Sequence, residues 1–319
     1  TPIAEPVRVN QQDRFAIYSS RLDGSERQLL VSDPMREINH ARLSPDREWI
    51  VFTRYNRFGK DDQALEVYGY DQSEIVVMRL DGSEMLSLLP PRKGVVAANG
   101  YWSPDGKGIL FVSNDNEKGV ARIMRLDWDS KTVHPLQLPD DFSVADPHQV
   151  ADLVVFPRHG GEIPVSRLWL VNSDGSNLRQ LTRPSFGETG SGKGPQLGDH
   201  DPKLSPNGAR VATMRHVGKD NWHIFVVEVD TGVELDLSEA NAVDAVPEWS
   251  NDGEQLIFWH VNLDDYSQNG LYTMSATGQQ RTRVPLPSGY FYTMPAYFPA
   301  GGSTDLSERI IYTARRHGK

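Results

Sequence analysis

The sequence contains no cysteine among its 319 residues. Disulfide bonds, thiolate catalysis and cysteine-bound zinc are therefore excluded, so any metal would have to be held by histidine and carboxylate side chains. The lack of disulfides is compatible with an extracytoplasmic bacterial protein. We expect a periplasmic or secreted protein whose signal peptide was removed before Thr1, because no charged segment followed by an apolar one opens the chain.

Long apolar runs and an excess of basic residues are also missing. The longest apolar runs, at 109–112 and 153–156, are far shorter than the about 18 residues of a membrane-spanning helix. The 33 Lys and Arg residues are outnumbered by 43 Asp and Glu residues, which gives a net charge of -10. We therefore expect no membrane span and no nucleic-acid partner.

Helical periodicity is almost absent, and short apolar strands separated by turn residues recur instead. The first recurring unit is a strand, a turn of the Asp-Gly-Ser type and a second strand. It occurs six times, with its turns at Asp23-Gly24-Ser25, Asp81-Gly82-Ser83, Asp127-Trp128-Asp129-Ser130, Asp174-Gly175-Ser176, Asp230-Thr231-Gly232 and Thr277-Gly278.

The second recurring unit is a strand, a turn of the Ser-Pro-Asp-Gly type and another strand. Proline presets the backbone for a turn, and Asp, Asn and Gly tolerate the tight positions that follow. Two degenerate copies lie at 148–156 and 295–312. The four clear copies have their turns at Ser44-Pro45-Asp46, Ser103-Pro104-Asp105-Gly106, Ser205-Pro206-Asn207-Gly208 and Ser250-Asn251-Asp252-Gly253.

The alternation of the two units predicts an all-β protein, a six-bladed β-propeller with about 50 residues and four antiparallel strands in each blade. The chain opens with one half of a blade and closes with the other half, so we expect a two-plus-two strand clasp between the terminal hairpins. After an N-terminal extension at 1–14, residues 15–319 would form a single domain. The expected blades are 37–90, 97–139, 144–183, 199–238, 244–285, and 292–315 together with 15–32.

These turns also carry a resemblance to a known family. The segment Pro247-Glu248-Trp249-Ser250 with its following turn, and the Val77-Met78 strand that leads to an Asp-Gly-Ser turn, are similar to the repeat of TolB-type six-bladed propellers. The resemblance extends from Phe15 to Arg315, with a more distant similarity to the propellers of oligogalacturonate lyases. It implies the fold, but not one function, because propellers of this kind serve as interaction modules and as enzymes.

Alternating strand directions place the long insertions at 57–73, 182–198 and 261–269 on one face, which we expect to be the ligand face. Histidine and aspartate residues precede the first strand of several blades at this face. They could bind a divalent metal such as Mn, Zn or Ca, as the resemblance to oligogalacturonate lyases also implies. The candidate ligands are His40, His148, His200, Asp199 and Asp201. The alternative for the aspartates is a hydrogen bond that orders a loop.

Cationic side chains recur where the second strand of each blade ends. Because the planar guanidinium group suits carboxylate, sulfate or phosphate, this ring of cations predicts binding of an anionic small molecule or oligosaccharide. The alternative is that these arginines pair with neighbouring loop aspartates and order the rim. Tyr292 could stack on a sugar ring. The candidate arginines are Arg54, Arg158, Arg215 and Arg315.

Three hypotheses for function remain open. The first is an extracytoplasmic propeller that binds an anionic ligand such as an acidic sugar, with or without a bound metal. The second is a metal-dependent lyase acting on acidic oligosaccharides, with His159, His216 or His260 as the base. The third is a scaffold for a protein partner, as in TolB. A nucleotide cofactor is not expected, because the phosphate-loop-like stretch at 187–194 lacks its final Ser or Thr.

Overall fold

The computed structural model describes residues 14–55, 72–139, 142–158, 165–184, 197–218, 221–240, 242–262, 264–300 and 309–316. Within them the chain forms 24 β-strands and one 3-10 turn at Tyr266–Gln268, with no α-helix. The prediction of an all-β protein is confirmed. Apart from its last residue, the expected extension at 1–14 lies outside these residues. None of the helical structure in the described part is long and apolar enough to cross a membrane.

Three of the sheets have four strands each. The first contains β3 to β6, at Glu37–Leu43, Trp49–Tyr55, Glu74–Arg79 and Met85–Ser87. The second contains β7 to β10, at Ala97–Trp102, Gly108–Ser113, Arg122–Asp127 and Val133–Pro135. The third joins the two ends of the chain and contains β1, β2, β23 and β24, at Ala16–Arg21, Gln28–Val31, Tyr290–Tyr297 and Arg309–Arg316.

The fourth sheet has twelve strands, in three consecutive antiparallel runs. The first run is β11 to β14, at His148–Val150, Leu153–Arg158, Val165–Asn172 and Arg179–Gln180. The second run is β15 to β18, at Leu197–Leu204, Arg210–Gly218, Asn221–Glu228 and Glu234–Asp236. The third run is β19 to β22, at Ala242–Trp249, Gln255–Asn262, Gly270–Ser275 and Thr282–Arg283.

The twelve-stranded sheet differs from the prediction of six separate four-stranded blades. Short parallel pairings connect its runs, at Ser166↔Gly198 and at Trp222↔Val243. Gly198 has a φ of 105°, and a Cβ atom there would collide with the backbone oxygen of Ser166. The close parallel pairing therefore requires glycine at position 198. The sequence alone does not show this requirement, because it arises from the contact with Ser166 in another strand.

The first strands of the four-strand groups stand around a common axis. Strand β3 contacts β7, β11 contacts β15, β15 contacts β19, β19 contacts β23, and β23 returns to β3. In the terminal sheet β1 pairs antiparallel with β24, from Ala16↔Ala314 to Arg21↔Arg309. Apolar side chains fill the space between neighbouring sheets, as where Trp49 and Trp102 lie 5.1 and 4.9 Å from the Trp128 ring.

The turn residues make the hydrogen bonds that their sequence predicts. The hydroxyl of Ser44 accepts from the backbone N–H of Trp49, and the hydroxyl of Ser103 accepts from that of Gly108, both at 2.9 Å. In the other unit the Asp23 carboxylate accepts from the Ser25 N–H at 2.9 Å. Short polar side chains therefore satisfy backbone groups that the turns would otherwise leave unpaired.

Each group has, in its first strand or just before it, a residue that is not glycine but has a positive φ, between 38° and 58°. Each of these residues stands four positions before the serine position of the Ser-Pro-Asp turn, and five of them lie at a shift in strand register. The residues are His40, Asn99, Asp146, Asp201, Val246 and Met294. Such a conformation costs about 1 kcal/mol or more per residue, so a repeated bulge of this kind indicates a structural or functional demand at the axis.

Candidate functional site

The bulges bring polar side chains from five different strand groups together at the axis. Most are bulge residues or stand two positions later in the same strand, and Asp146 and His148 occupy the equivalent positions before β11 and at its start. We call this group the axial cluster, and it consists of His40, Arg42, Asn99, Tyr101, Asp146, His148, Asp201, Lys203 and Glu248. Asn99, Asp146, His148 and Glu248 are partly exposed, so the cluster reaches solvent.

Tyr101 lies at the centre of the axial cluster. Its ring meets the imidazole of His40 edge to face at 4.8 Å and that of His148 at 5.2 Å, measured between ring centroids. Its hydroxyl accepts a hydrogen bond from Arg42 Nη2 at 3.2 Å. The guanidinium carbon of Arg42 and the Nζ atom of Lys203 each lie 5.1 Å from the ring centroid. One aromatic ring therefore separates and positions two imidazoles and two cations.

Each cation of the cluster is paired with a carboxylate. Lys203, which is 0% exposed, donates to the Asp201 carboxylate and, at 3.3 Å, to the Asp201 backbone oxygen. Arg42 Nε lies 3.3 Å from Glu248 Oε2. Burial by itself lowers the pKa of Lys203, but the combined attraction of Asp201, Tyr101 and Glu248 outweighs it and raises that pKa above the ordinary value. Both cations therefore stay charged inside the protein.

The two imidazoles are neutral hydrogen-bond donors. Burial, together with the positive charges of Arg42 and Lys203, holds the pKa of His40 and of His148 well below the ordinary value. The backbone N–H of Leu204 donates to His148 Nδ1 at 3.0 Å, so the proton of the neutral ring lies on Nε2. Both ring nitrogens of His40 are buried without a hydrogen-bond partner. An unpaired buried donor costs about 1–3 kcal/mol, which a ligand could recover.

The cluster also contains oxygen acceptors that have no hydrogen-bond partner. Asn99 Nδ2 donates to Asp146, while Asn99 Oδ1 and Asp201 Oδ2 are buried without a hydrogen-bond partner. Burial and the nearby negative charge of Asp201 raise the pKa of Asp146 to about 7. The cluster therefore offers unfilled donors and unfilled acceptors to a molecule entering at the axis.

The residues predicted to bind a metal are divided between two places. His40, His148 and Asp201 belong to the axial cluster, whereas Asp199 is held by Arg215 through contacts of 2.5 and 3.2 Å. The ring of His200 meets Trp222 edge to face at 5.2 Å. Across the described part of the chain, no group of three or more His, Asp or Glu side chains could hold a metal ion.

Two of the predicted anion-binding arginines already bind carboxylates of the protein. Arg215, 5% exposed, donates to Asp199 and also to Glu234 at 2.6 and 2.9 Å. Arg54 Nε donates to Glu74 at 2.8 Å, and its Nη1 atom lies 3.3 Å from Asp33. Only Asp33 is a loop aspartate, the kind of partner that the alternative described, whereas Asp199, Glu74 and Glu234 lie in strands. The charge of both arginines is therefore largely neutralised before any ligand arrives.

The other predicted ligand-binding residues pack against aromatic rings. The guanidinium carbon of Arg158 lies 3.9 Å from the Phe142 ring centroid, and that of Arg315 lies 4.7 Å from the Phe15 centroid. Tyr292 is buried, and its hydroxyl donates to the backbone oxygen of Pro287 at 2.5 Å. None of them belongs to the axial cluster.

The candidate bases also lie outside the axial cluster. His216 stacks on Trp222 with a centroid distance of 4.7 Å. His260 Nδ1 lies 2.7 Å from the Asp244 carboxylate, which Arg281 also binds, at 2.6 and 3.0 Å. His159 lies outside the described residues. The sequence reasoning missed Arg42, Asn99, Tyr101, Lys203 and Glu248, although each stands two or four positions before the serine position of a turn.

Known proteins match this chain in structure but not in sequence. No family model and no curated protein matches the sequence. A putative TolB from Agrobacterium tumefaciens matches with a TM-score of 0.69 and 13% identity, over 96% of this chain and 99% of the other. TolB from Acinetobacter baumannii matches with a TM-score of 0.61 and 14% identity, over 96% of this chain but only 66% of that longer protein, just under two thirds.

An oligogalacturonate lyase in complex with manganese also matches, with a TM-score of 0.55 and 14% identity, over 91% of this chain and 80% of the lyase. At such low identity, these matches are informative about the fold only. The chain has a β-propeller fold like that of TolB and of oligogalacturonate lyase.

Proposed function

We propose that this chain is an extracytoplasmic binding propeller that holds a ligand with an acidic group at the axial cluster. In this proposal the four-strand groups are six blades of one ring, closed by the terminal sheet. The observation that carries the proposal is His40, which is 1% exposed and whose two ring nitrogens have no hydrogen-bond partner beside Tyr101 and His148.

Hydrogen-bond donors predominate around His40, Tyr101 and His148. His148 has its proton on Nε2, and His40 carries one proton on either nitrogen. The Tyr101 hydroxyl accepts from Arg42, so its own hydrogen is free to be donated. Although Arg42 and Lys203 are each paired with a carboxylate, their positive charges still act on His40 and His148, which favours an acceptor that is also negatively charged. A carboxylate meets these requirements better than a neutral group does.

The proposal is tested by titrating the protein with acetate, succinate and galacturonate by isothermal calorimetry. At least one of these carboxylates should bind to the wild type, and His40→Phe should weaken that binding about tenfold or more. Phenylalanine keeps the ring that packs on Tyr101 but removes both nitrogens. His216→Phe is the matched control, since that ring is also buried but lies outside the cluster. Equal affinities in all three proteins would contradict the proposal.

A protein-binding scaffold is the second candidate, and the match to the putative TolB over 96% of this chain favours it. In that case a partner protein should still bind after His40→Phe, because recognition would rest on a wider surface. The lyase alternative has weaker support, since no three-ligand metal group exists among the described side chains. It requires bound divalent metal in the purified protein and an unsaturated, ultraviolet-absorbing product from oligouronides.

A further inference from the structure

The axial cluster contains hydrogen-bond acceptors without a partner, just as it contains donors without one. Asp201 is 3% exposed, and its Oδ2 atom has no hydrogen-bond partner, although its Oδ1 atom binds Lys203. Asn99 donates through Nδ2 to Asp146, which fixes the orientation of the amide and leaves its buried Oδ1 atom unfilled. A ligand of the cluster must therefore satisfy these acceptors as well as donors such as His40.

Charges of both signs lie near the unfilled atoms of the cluster. The imidazoles of His40 and His148 lie in the positive field of Arg42 and Lys203, which lowers their pKa values after the effect of burial. Burial and the negative charge of Asp201 raise the pKa of Asp146, and they outweigh the opposing effects of Lys203 and Asn99. The axial cluster thus combines unfilled donors at imidazoles that lie near two cations with unfilled acceptors that lie near two neighbouring carboxylates.

We infer that the ligand of the axial cluster is a zwitterion, with a carboxylate that binds on the side of His40, Tyr101 and His148 and an ammonium group that binds on the side of Asn99, Asp146 and Asp201. The inference rests on the proposed function and specifies the ligand class of the same site. An ammonium group has three N–H donors, and Asp146, Asp201 Oδ2 and Asn99 Oδ1 are the acceptors available to them. Free amino acids and short peptides belong to this class.

A hydroxylated acid, such as a sugar acid, satisfies the site less well. A hydroxyl group could fill one acceptor, but it would leave the repulsion between Asp146 and Asp201 unchanged. An ammonium ion relieves that repulsion, because it is attracted to both carboxylates. A metal ion meets an obstacle, since Lys203 already occupies one oxygen of Asp201. The charge distribution therefore favours the organic cation.

The experiment compares acetate and methylammonium with a ladder of amino acids of increasing length, from glycine through β-alanine and γ-aminobutyrate to 6-aminohexanoate. Calorimetry on the wild type should show that the best amino acid binds at least about tenfold more tightly than either single-charge compound. Asp146→Asn keeps the size of the side chain and an oxygen for Asn99. This substitution should lower the affinity for the best amino acid to the affinity for acetate, and it should leave the affinity for acetate unchanged. His216→Phe should change neither value.

The outcomes distinguish the inference from the function on which it rests. If acetate or galacturonate binds as tightly as every amino acid, or if Asp146→Asn leaves the preference intact, the ligand is not a zwitterion and the binding function stands. If neither the acids nor the amino acids bind, both are overturned.

Discussion

Two groups of buried charges in this protein contain similar residue types, but they differ in whether their polar atoms all have hydrogen-bond partners. In the rim network, formed by Arg215, Asp199, Glu234 and Thr182, each guanidinium nitrogen donates to a carboxylate. Thr182 donates to Asp199 at 2.5 Å and completes the network. In the axial cluster, ion pairs of the same kind stand beside unfilled nitrogens and oxygens. A completed network mainly stabilises the fold, whereas an incomplete one has capacity left for a ligand.

The largest expected effect comes from breaking the rim network. Arg215→Met leaves Asp199, which is 0% exposed, as a buried carboxylate without its cation. The free energy of unfolding in urea should fall by about 3–5 kcal/mol. Arg54→Met is the matched control and should cost less than half as much, because Arg54 is 23% exposed and Glu74 keeps its contact with Arg36. A loss below about 1 kcal/mol for Arg215→Met would show that the completed network is not structural.

A smaller effect of opposite direction is expected in the axial cluster. The pKa of Asp146 is raised to about 7 by burial and by Asp201, so ionisation of Asp146 disfavours the folded state. That penalty is absent well below the ordinary aspartate pKa, develops as the pH rises towards 7, and remains above it. Asp146→Asn should therefore stabilise the protein at pH 8 by about 2 kcal/mol, which is about half of what the full shift corresponds to, because Asp146 is partly exposed and water screens the repulsion. It should leave the stability unchanged near pH 3, when unfolding is measured in urea.

If Asp146→Asn destabilised the protein equally at both pH values, the carboxylate would have a satisfied structural role, and the contrast between the two groups of charges would disappear.

The smallest effect is expected at His223, which is buried but whose carboxylate partner Asp236 is 40% exposed. His223 Nδ1 lies 2.9 Å from Asp236, and this hydrogen bond raises the pKa of the imidazole despite its burial. Its contribution to stability is present below the unfolded histidine pKa and is lost as the pH rises through the folded value. His223→Gln should lower the free energy of unfolding by less than about 1 kcal/mol at pH 5, and by nothing measurable at pH 8. Urea titrations at the two pH values provide the measurement, and an equal loss at both would rule out the charged pair.

The sequence predicted the strands well because their signals are local. Ser44 and Ser103 mark turns through hydrogen bonds that lie within a few residues. The pairing of the chain ends required only that two incomplete units complement each other, and β1 does pair with β24. The parallel pairings that connect the runs of the largest sheet were not predicted, because the role of Gly198 depends on Ser166 in another strand.

The candidate site was harder to predict. His40, His148 and Asp201 were identified as axial residues and do lie in the axial cluster. Asp199 was grouped with them because it also precedes a turn of the Ser-Pro-Asp type in an axial loop, but the bulge at Asp201 separates the two aspartates, and Asp199 faces Arg215 instead. Tyr101 and Lys203 gave no signal as single residues, since only their shared distance from the turns distinguishes them.

The sequence by itself determined the all-β class, the alternation of two turn types and the exclusion of thiol chemistry, because each depends on composition or on contacts between near neighbours. The tertiary structure decided which charges neutralise one another and which remain available. That outcome depends on side chains from different strand groups meeting at one axis, and the bulges that turn them there appear in the backbone angles rather than in any single residue type.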